Sequence, residues 1–147
     1  MKRLLFTLAT CCVMCACEQK TEMNPFFTEF QTEYGAPDFT KIRLEHYEPA
    51  FLKGIEEQNA EIKAIVDNPE EPTFENTIVA LDKSGGILAR VSGVFFALTE
   101  ADTNDSLTAL NEKMAPVLSE HSDNIYLNQD LYKRCLLYTS DAADDLT

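Results

Sequence analysis

From Leu44 to Leu98 the apolar residues recur at three, four and seven positions, a spacing that admits helices and little else. Leu44, Tyr47, Phe51, Ile55, Ile62 and Ile65 share one face of a helix expected from about Leu44 to Asp67, with Pro49 in its first turn, where a missing amide is harmless. Asn68-Pro69-Glu70-Glu71-Pro72 stops that helix. Beyond it Thr73 can cap a second helix whose stripe is Phe74, Ile78, Leu81, Leu88, Val91, Phe95 and Leu98. Asn76 stands where a capping box takes Glu or Gln, so an imperfect cap is expected. Ser84-Gly85-Gly86 interrupts the stripe, and each Gly costs roughly 1 kcal/mol against Ala inside a helix. Because the stripe keeps phase on both sides, a single continuous helix is expected, kinked or frayed at the glycines or closely approached there by a neighbour.

Asp102 to Asp105 reads as a capping turn, and Leu107, Leu110, Met114, Leu118 and Ile125 carry a third helix to about Tyr126, bent at Pro116. Asn128 opens a short fourth helix containing Leu131 and Tyr132. No strand pattern of period two occurs. Residues 40–134 therefore read as an all-α region of antiparallel helices joined by short turns. Residues 17–39 are polar and irregular, with turn signals at Asn24-Pro25 and Gly35-Ala36-Pro37, and read as a tether. Phe26, Phe27 and Phe30 are the exception and are expected to pack on the helices, since three exposed aromatics would be an adhesion liability.

The two ends have a different character. Lys2 and Arg3 precede an apolar stretch, Leu4 to Met14, that is too short to span a bilayer as a helix and reads as an export signal over residues 1–16. Small Ala16 directly before Cys17 resembles the site cut by the lipoprotein signal peptidase, which makes Cys17 the expected lipidation site. Several acyl chains there would hold the protein on a membrane of the cell envelope, periplasmic or outer. Cys11 is a weaker choice, with Thr10 before it, and a plain signal peptide cut elsewhere is the alternative. Cys135 to Asp144 resembles the translation of a sequencing-library adapter, so residues 135–147 read as a non-biological tail and the helical region as interrupted. Of the five cysteines, four lie in the signal region and one in that tail, which leaves no disulfide framework or cysteine zinc site for the body.

The net charge is −13, nearly all of it between Glu18 and Arg134. Nucleic acid and anionic lipid bind through Lys and Arg, so neither is an expected partner of such a body. At 45% apolar residues the chain is not compositionally disordered.

Residues that could carry chemistry are sparse. A helical His-Glu-x-x-His would hold zinc with two imidazoles and activate water with the Glu, and that motif is absent. His121 falls on the apolar stripe of the third helix and reads as a hydrogen-bonded structural histidine. His46 lies in a first helical turn between Glu45 and Glu48 and reads as a surface residue, not a ligand. The pairs Glu56 with Glu57 and Glu70 with Glu71 read as solvated faces and turns, because paired catalytic carboxylates need enclosures that split their pKa values. Ser84 and Ser92 form no Gly-x-Ser-x-Gly elbow. No catalytic, cofactor-binding or metal-binding residue is assigned.

The run Pro72-Thr73-Phe74-Glu75-Asn76-Thr77-Ile78-Val79-Ala80-Leu81-Asp82-Lys83-Ser84-Gly85, continued through Arg90-Val91-Ser92-Gly93-Val94-Phe95-Phe96 to Thr103-Asn104-Asp105, resembles the N-terminal helical region of the thimet oligopeptidase-like zinc metallopeptidases. The same resemblance extends over Asn24-Pro25, His46-Tyr47, Pro49-Ala50-Phe51, His121-Ser122-Asp123 and Ile125-Tyr126-Leu127-Asn128. It implies a larger, nearly all-helical protein of two halves flanking a deep channel that admits short peptides. It further implies one zinc held by two His and a Glu, with either dipeptide release from C-termini or internal cleavage. None of those ligands corresponds to a position here, so the segment would supply part of the channel wall and be inactive alone. The alternative is a free-standing helical lipoprotein that binds peptides or proteins without catalysis.

Overall fold

In the computed structural model, which describes residues 23–144, helix α1 spans Leu44–Val66. Residues 1–22, including the export signal and Cys17, and residues 145–147 lie outside the described residues. Arg43 stands before α1 in extended backbone, and His46 Nδ1 accepts its N–H at 3.1 Å. Pro49 falls in the second turn instead of the first. It thus forgoes the bond to the Glu45 carbonyl, at a position where both residues are exposed to water. The buried face is Tyr47, Ala50, Phe51, Gly54, Ile62 and Ile65, while Leu44 is exposed and Ile55 only half-buried.

The expected continuous second helix is two elements. Phe74–Val79 winds as a π-helix and passes into the short α2, Ala80–Asp82. The chain then turns through Gly85 in the left-handed region (φ 76°, ψ 31°), and α3 spans Gly86–Ala101. Two causes act together. The Ser84 hydroxyl donates to the Leu81 carbonyl at 2.8 Å, and the Gly85 amide donates to the Glu61 carboxylate at 2.7 Å, so both groups are drawn out of helical pairing. The π winding also changes the phase: Thr77 is fully buried, whereas Phe74 is exposed and Ile78 and Leu81 are half-buried. The cap itself is complete. Thr73 Oγ1 accepts the Asn76 N–H at 3.1 Å and Asn76 Oδ1 accepts the Thr73 N–H at 2.8 Å, so a short amide serves where Glu or Gln is usual.

Helix α4, Asp105–Tyr126, is capped by Asn104, whose Oδ1 accepts from Ser106 and Leu107, and it continues through Pro116. Helix α5, Gln129–Asp144, is capped in the same way by Asn128 and runs on past Arg134. Cys135 packs on the cluster of Ile62, Ile65 and Leu131. Along α1, Tyr47 meets Phe95, Gly54 meets Leu88 and Gln58 meets Ser84, so α3 runs antiparallel to it. Glu48 pairs with Lys113 at 2.6 Å and Gln58 with His121, so α4 runs back alongside α1 in the same direction. The described residues form an all-α fold with no strand.

The core lies where α1, α3 and α4 meet, around Tyr47, Phe51, Val91, Phe95, Leu107 and Met114. Phe26 is also fully buried there, and its ring lies 5.2 Å from Tyr47, which in turn is 5.3 Å from Phe95. Residues 24–30 are thus docked and not free tether. Asn24 Nδ2 donates to the His46 carbonyl at 2.7 Å and Arg90 donates to the Phe26 carbonyl at 2.7 Å. Phe30 packs against the same core, as expected, and Phe27 stays partly exposed.

Candidate functional site

A groove of about 540 Å³ opens between α3, α4 and α5, with Gln58 of α1 and Ser84 at its base. Its walls are mostly apolar: Leu88 and Phe96 from α3, Leu118 and Ile125 from α4, Leu131 from α5. Phe96, Tyr126 and Tyr132 sit on its rim and are exposed. A concave apolar surface with few polar groups is the form that ligand and docking sites take.

The polar groups at its base are linked in one direction. Ser84 Oγ lies 2.8 Å from the Leu81 carbonyl, which can only accept, so the serine must donate there. Gln58 Nε2 then donates to Ser84 Oγ at 3.2 Å, which leaves Gln58 Oε1 as the acceptor for His121 Nε2 at 2.7 Å. The neutral histidine accordingly carries its proton on Nε2. His121 is 6% exposed, and burial pushes its pKa below the ordinary imidazole value. The expectation of a hydrogen-bonded structural histidine holds, while His46 serves the start of α1.

A second polar cluster fastens the turn after α1. Arg134 is 8% exposed and forms no ion pair among the described residues; it donates to the carbonyls of Asn68 (2.8 Å) and Glu70 (3.2 Å) and to Asn76 Oδ1 (3.2 Å). Its Nε is buried with no partner among the described residues. The carbonyls of Asn68 and Glu70 and the amide oxygen of Asn76 carry partial negative charge, which offsets the buried cation. Asn76 is the hub. It also donates to the Glu71 carbonyl at 2.9 Å and accepts from the Thr77 hydroxyl at 2.8 Å.

In neither cluster is a hydroxyl hydrogen-bonded to a histidine or a carboxylate. Among the described residues no three His, Cys, Asp or Glu come together to hold a metal. Glu56 and Lys53 pair at an exposed site at 3.1 Å, and Glu70 and Glu71 lie in the exposed turn. Ser84 is spent on the hydrogen-bonded chain, and Ser92 lines the groove. Gln58 and Arg134 have no role in the sequence reading, and Asn76 only that of an imperfect cap. Gln58 did carry a signal, since it stands in phase with Phe51, Ile62 and Ile65, and a polar residue on an apolar stripe must find a buried partner.

Fold and sequence together define a helical segment homologous to peptidases. Over 114 residues, 78% of this chain and 17% of the relative, it is 48% identical to dipeptidyl carboxypeptidase of Escherichia coli strain K12. Its identity to dipeptidyl carboxypeptidase of Salmonella typhimurium is 45% over 111 residues, 76% of this chain and 16% of the relative. Oligopeptidase A of Escherichia coli K12 is 28% identical over 110 residues, 75% of this chain and 16% of the relative. No family model matches the chain. The chain spans about one sixth of the length of the curated relatives it matches.

Proposed function

We propose that this chain is the N-terminal wall segment of a secreted zinc metallopeptidase that hydrolyses short peptides, releasing dipeptides from their C-termini. The observation that carries this reading is the 48% identity to a protein named dipeptidyl carboxypeptidase, against 28% to one named oligopeptidase A. In this reading the segment contributes packing and shape, while the zinc, its two His and one Glu, and the water-activating Glu belong to parts of the parent outside the chain. Cys17 carries the lipid that tethers the parent to the cell envelope, and residues 135–147 are foreign to it. The acidic body disfavours nucleic acid as a partner.

Two measurements test this. The purified chain with added zinc is expected to leave a short peptide intact, and zinc-dependent cleavage by it would refute the scaffold role. The reading frame continued past Arg134 is expected to encode His-Glu-x-x-His and to release C-terminal dipeptides in a zinc-dependent way. A second reading, a helical lipoprotein that binds peptides without cleaving them, draws on the apolar groove between α3, α4 and α5. It predicts saturable binding of an apolar peptide by the chain as a monomer, with Phe96→Ala weakening it.

A further inference from the structure

We propose that the face made by residues 34–44 against the outer side of α3 rests on a bilayer of zwitterionic phospholipid, with Tyr34 and Phe39 entering its headgroup layer. The proposal deepens the reading that Cys17 carries a lipid, and it rests on that reading. Six peptide steps separate Cys17 from Met23, so their Cα atoms lie within about 22 Å of each other in any conformation. The near end of that span is fixed. Asn24 donates to the His46 carbonyl at 2.7 Å, Phe26 is fully buried, and Arg90 holds the Phe26 carbonyl, so the chain enters the fold beside the start of α1.

The same end of the molecule carries exposed apolar side chains. Tyr34 is 95% exposed and Phe39 56%, and Met23 and Leu44 are exposed too. Tyr34 stands in the left-handed region (φ 62°), which a tyrosine rarely adopts, inside a turn that the Thr32 hydroxyl closes by donating to the Ala36 carbonyl. Phe39 borders two hollows at once, one with Phe30, Pro37 and Val94, the other with Ile42 and Leu44. It thereby joins the loop, α3 and the start of α1 into one apolar face. Contiguous exposed apolar surface marks a contact site, and a tyrosine ring with its polar edge suits the headgroup level of a bilayer.

Charge selects the lipid. Glu29 and Arg90 border the first hollow and Arg43 and Asp102 the second, a balance of signs on a chain whose net charge is −13. A balanced face suits a zwitterionic headgroup layer, whereas an anionic surface repels the body as a whole. The groove between α3, α4 and α5 lies farther from the tether, since it reaches α1 at Gln58, about 18 Å beyond His46 along the helix. So short a tether makes contact an intramolecular event at about millimolar effective concentration, and a face too weak to bind lipid freely is still held down.

The chain contains no tryptophan, so a single introduced one reports its own surroundings. Residues 17–147, with Cys135→Ser, are coupled through the Cys17 thiol to a maleimide-headed lipid in phosphatidylcholine vesicles that contain brominated acyl chains. Phe39→Trp, and independently Tyr34→Trp, should shift to the blue and lose most of their emission, while Tyr132→Trp on the rim of the groove should keep it. Unquenched Phe39→Trp and Tyr34→Trp, or Tyr132→Trp quenched as strongly as they are, would overturn the proposal. In the parent continued past Arg134 the first two reporters should still be quenched; their shielding there would assign the face to the remainder of the parent and overturn it as well. Lipidation is read separately, by fatty-acid incorporation into the full chain and its loss in Cys17→Ser. Absence of incorporation would overturn the Cys17 reading and with it the contact in the cell, while the chemically made tether still shows whether the face itself takes lipid.

Discussion

A Cβ added at Gly54 would lie 2.7 Å from the Leu88 amide nitrogen and 2.9 Å from its Cα, so α1 and α3 could keep their separation only by moving backbone. Gly85 is constrained twice, by its left-handed φ and by the Gln58 amide 2.6 Å from where a Cβ would stand. Gly86, one residue on, has nothing within 4 Å. Gly54→Ala is expected to cost about 1–3 kcal/mol. Gly85→Ala should cost about 1–2 kcal/mol from φ alone. Gly86→Ala should be neutral or stabilise by about 0.4–1 kcal/mol. Thermal melts of the three variants rank them, and a Gly54→Ala protein as stable as Gly86→Ala would contradict the close approach. The close approach of a neighbouring helix expected at Ser84-Gly85-Gly86 is made at Gly85 by the Gln58 side chain of α1, while backbone meets backbone at Gly54. Its partner is set by tertiary packing, which spacing along one helix cannot reveal.

The element that departs most from its pattern is the π-helix. Phe74, Ile78 and Leu81 are spaced for a 3.6-residue turn, and sequence periodicity extends that turn through Gly85 without a break. Wider winding places Thr77 inside instead, because Arg134 and the Thr73 backbone both bond Asn76 and hold the first turn open. The cause lies 58 residues away in sequence, beyond the reach of any local window. By contrast α1 and α4 were legible almost to their ends, since their stops are local: Asn68-Pro69 after one, Asn104 before the other. If Asn76 and Arg134 act as a unit, Asn76→Ala and Arg134→Ala should each destabilise by roughly 1–3 kcal/mol. The double variant should then fall short of their sum by at least about 0.5 kcal/mol. Urea unfolding of the four proteins reads this coupling, and strict additivity would mean that cap and guanidinium act separately.

For the molecule as a whole, the apolar face left open by α3, α4 and α5 sets its behaviour in solution. Phe96, Tyr126, Leu127 and Tyr132 remain exposed near the groove, so an environment-sensitive hydrophobic dye should bind the native chain before any unfolding. A dye-excluding monomer with one sharp melt would mark a self-sufficient domain and weaken the wall-segment reading. The groove was invisible in the sequence because its walls come from three helices and its polar base from a fourth. What the sequence did convey was the helical class, through the spacing of its apolar residues, and the homologous peptidases, through ordered short runs across most of the chain. The Arg134 fastening also forms late in synthesis. Its carbonyl partner at Asn68 leaves the ribosome 66 residues ahead of it, so the turn after α1 waits for its guanidinium for about 3–13 s at ordinary rates of synthesis. During that interval α1 and α3 can already pair through Gly54 and Phe95, while the π-helix has its cap but not its lock. Vectorial synthesis thus completes the turn after α1 last, from the farthest helix inward.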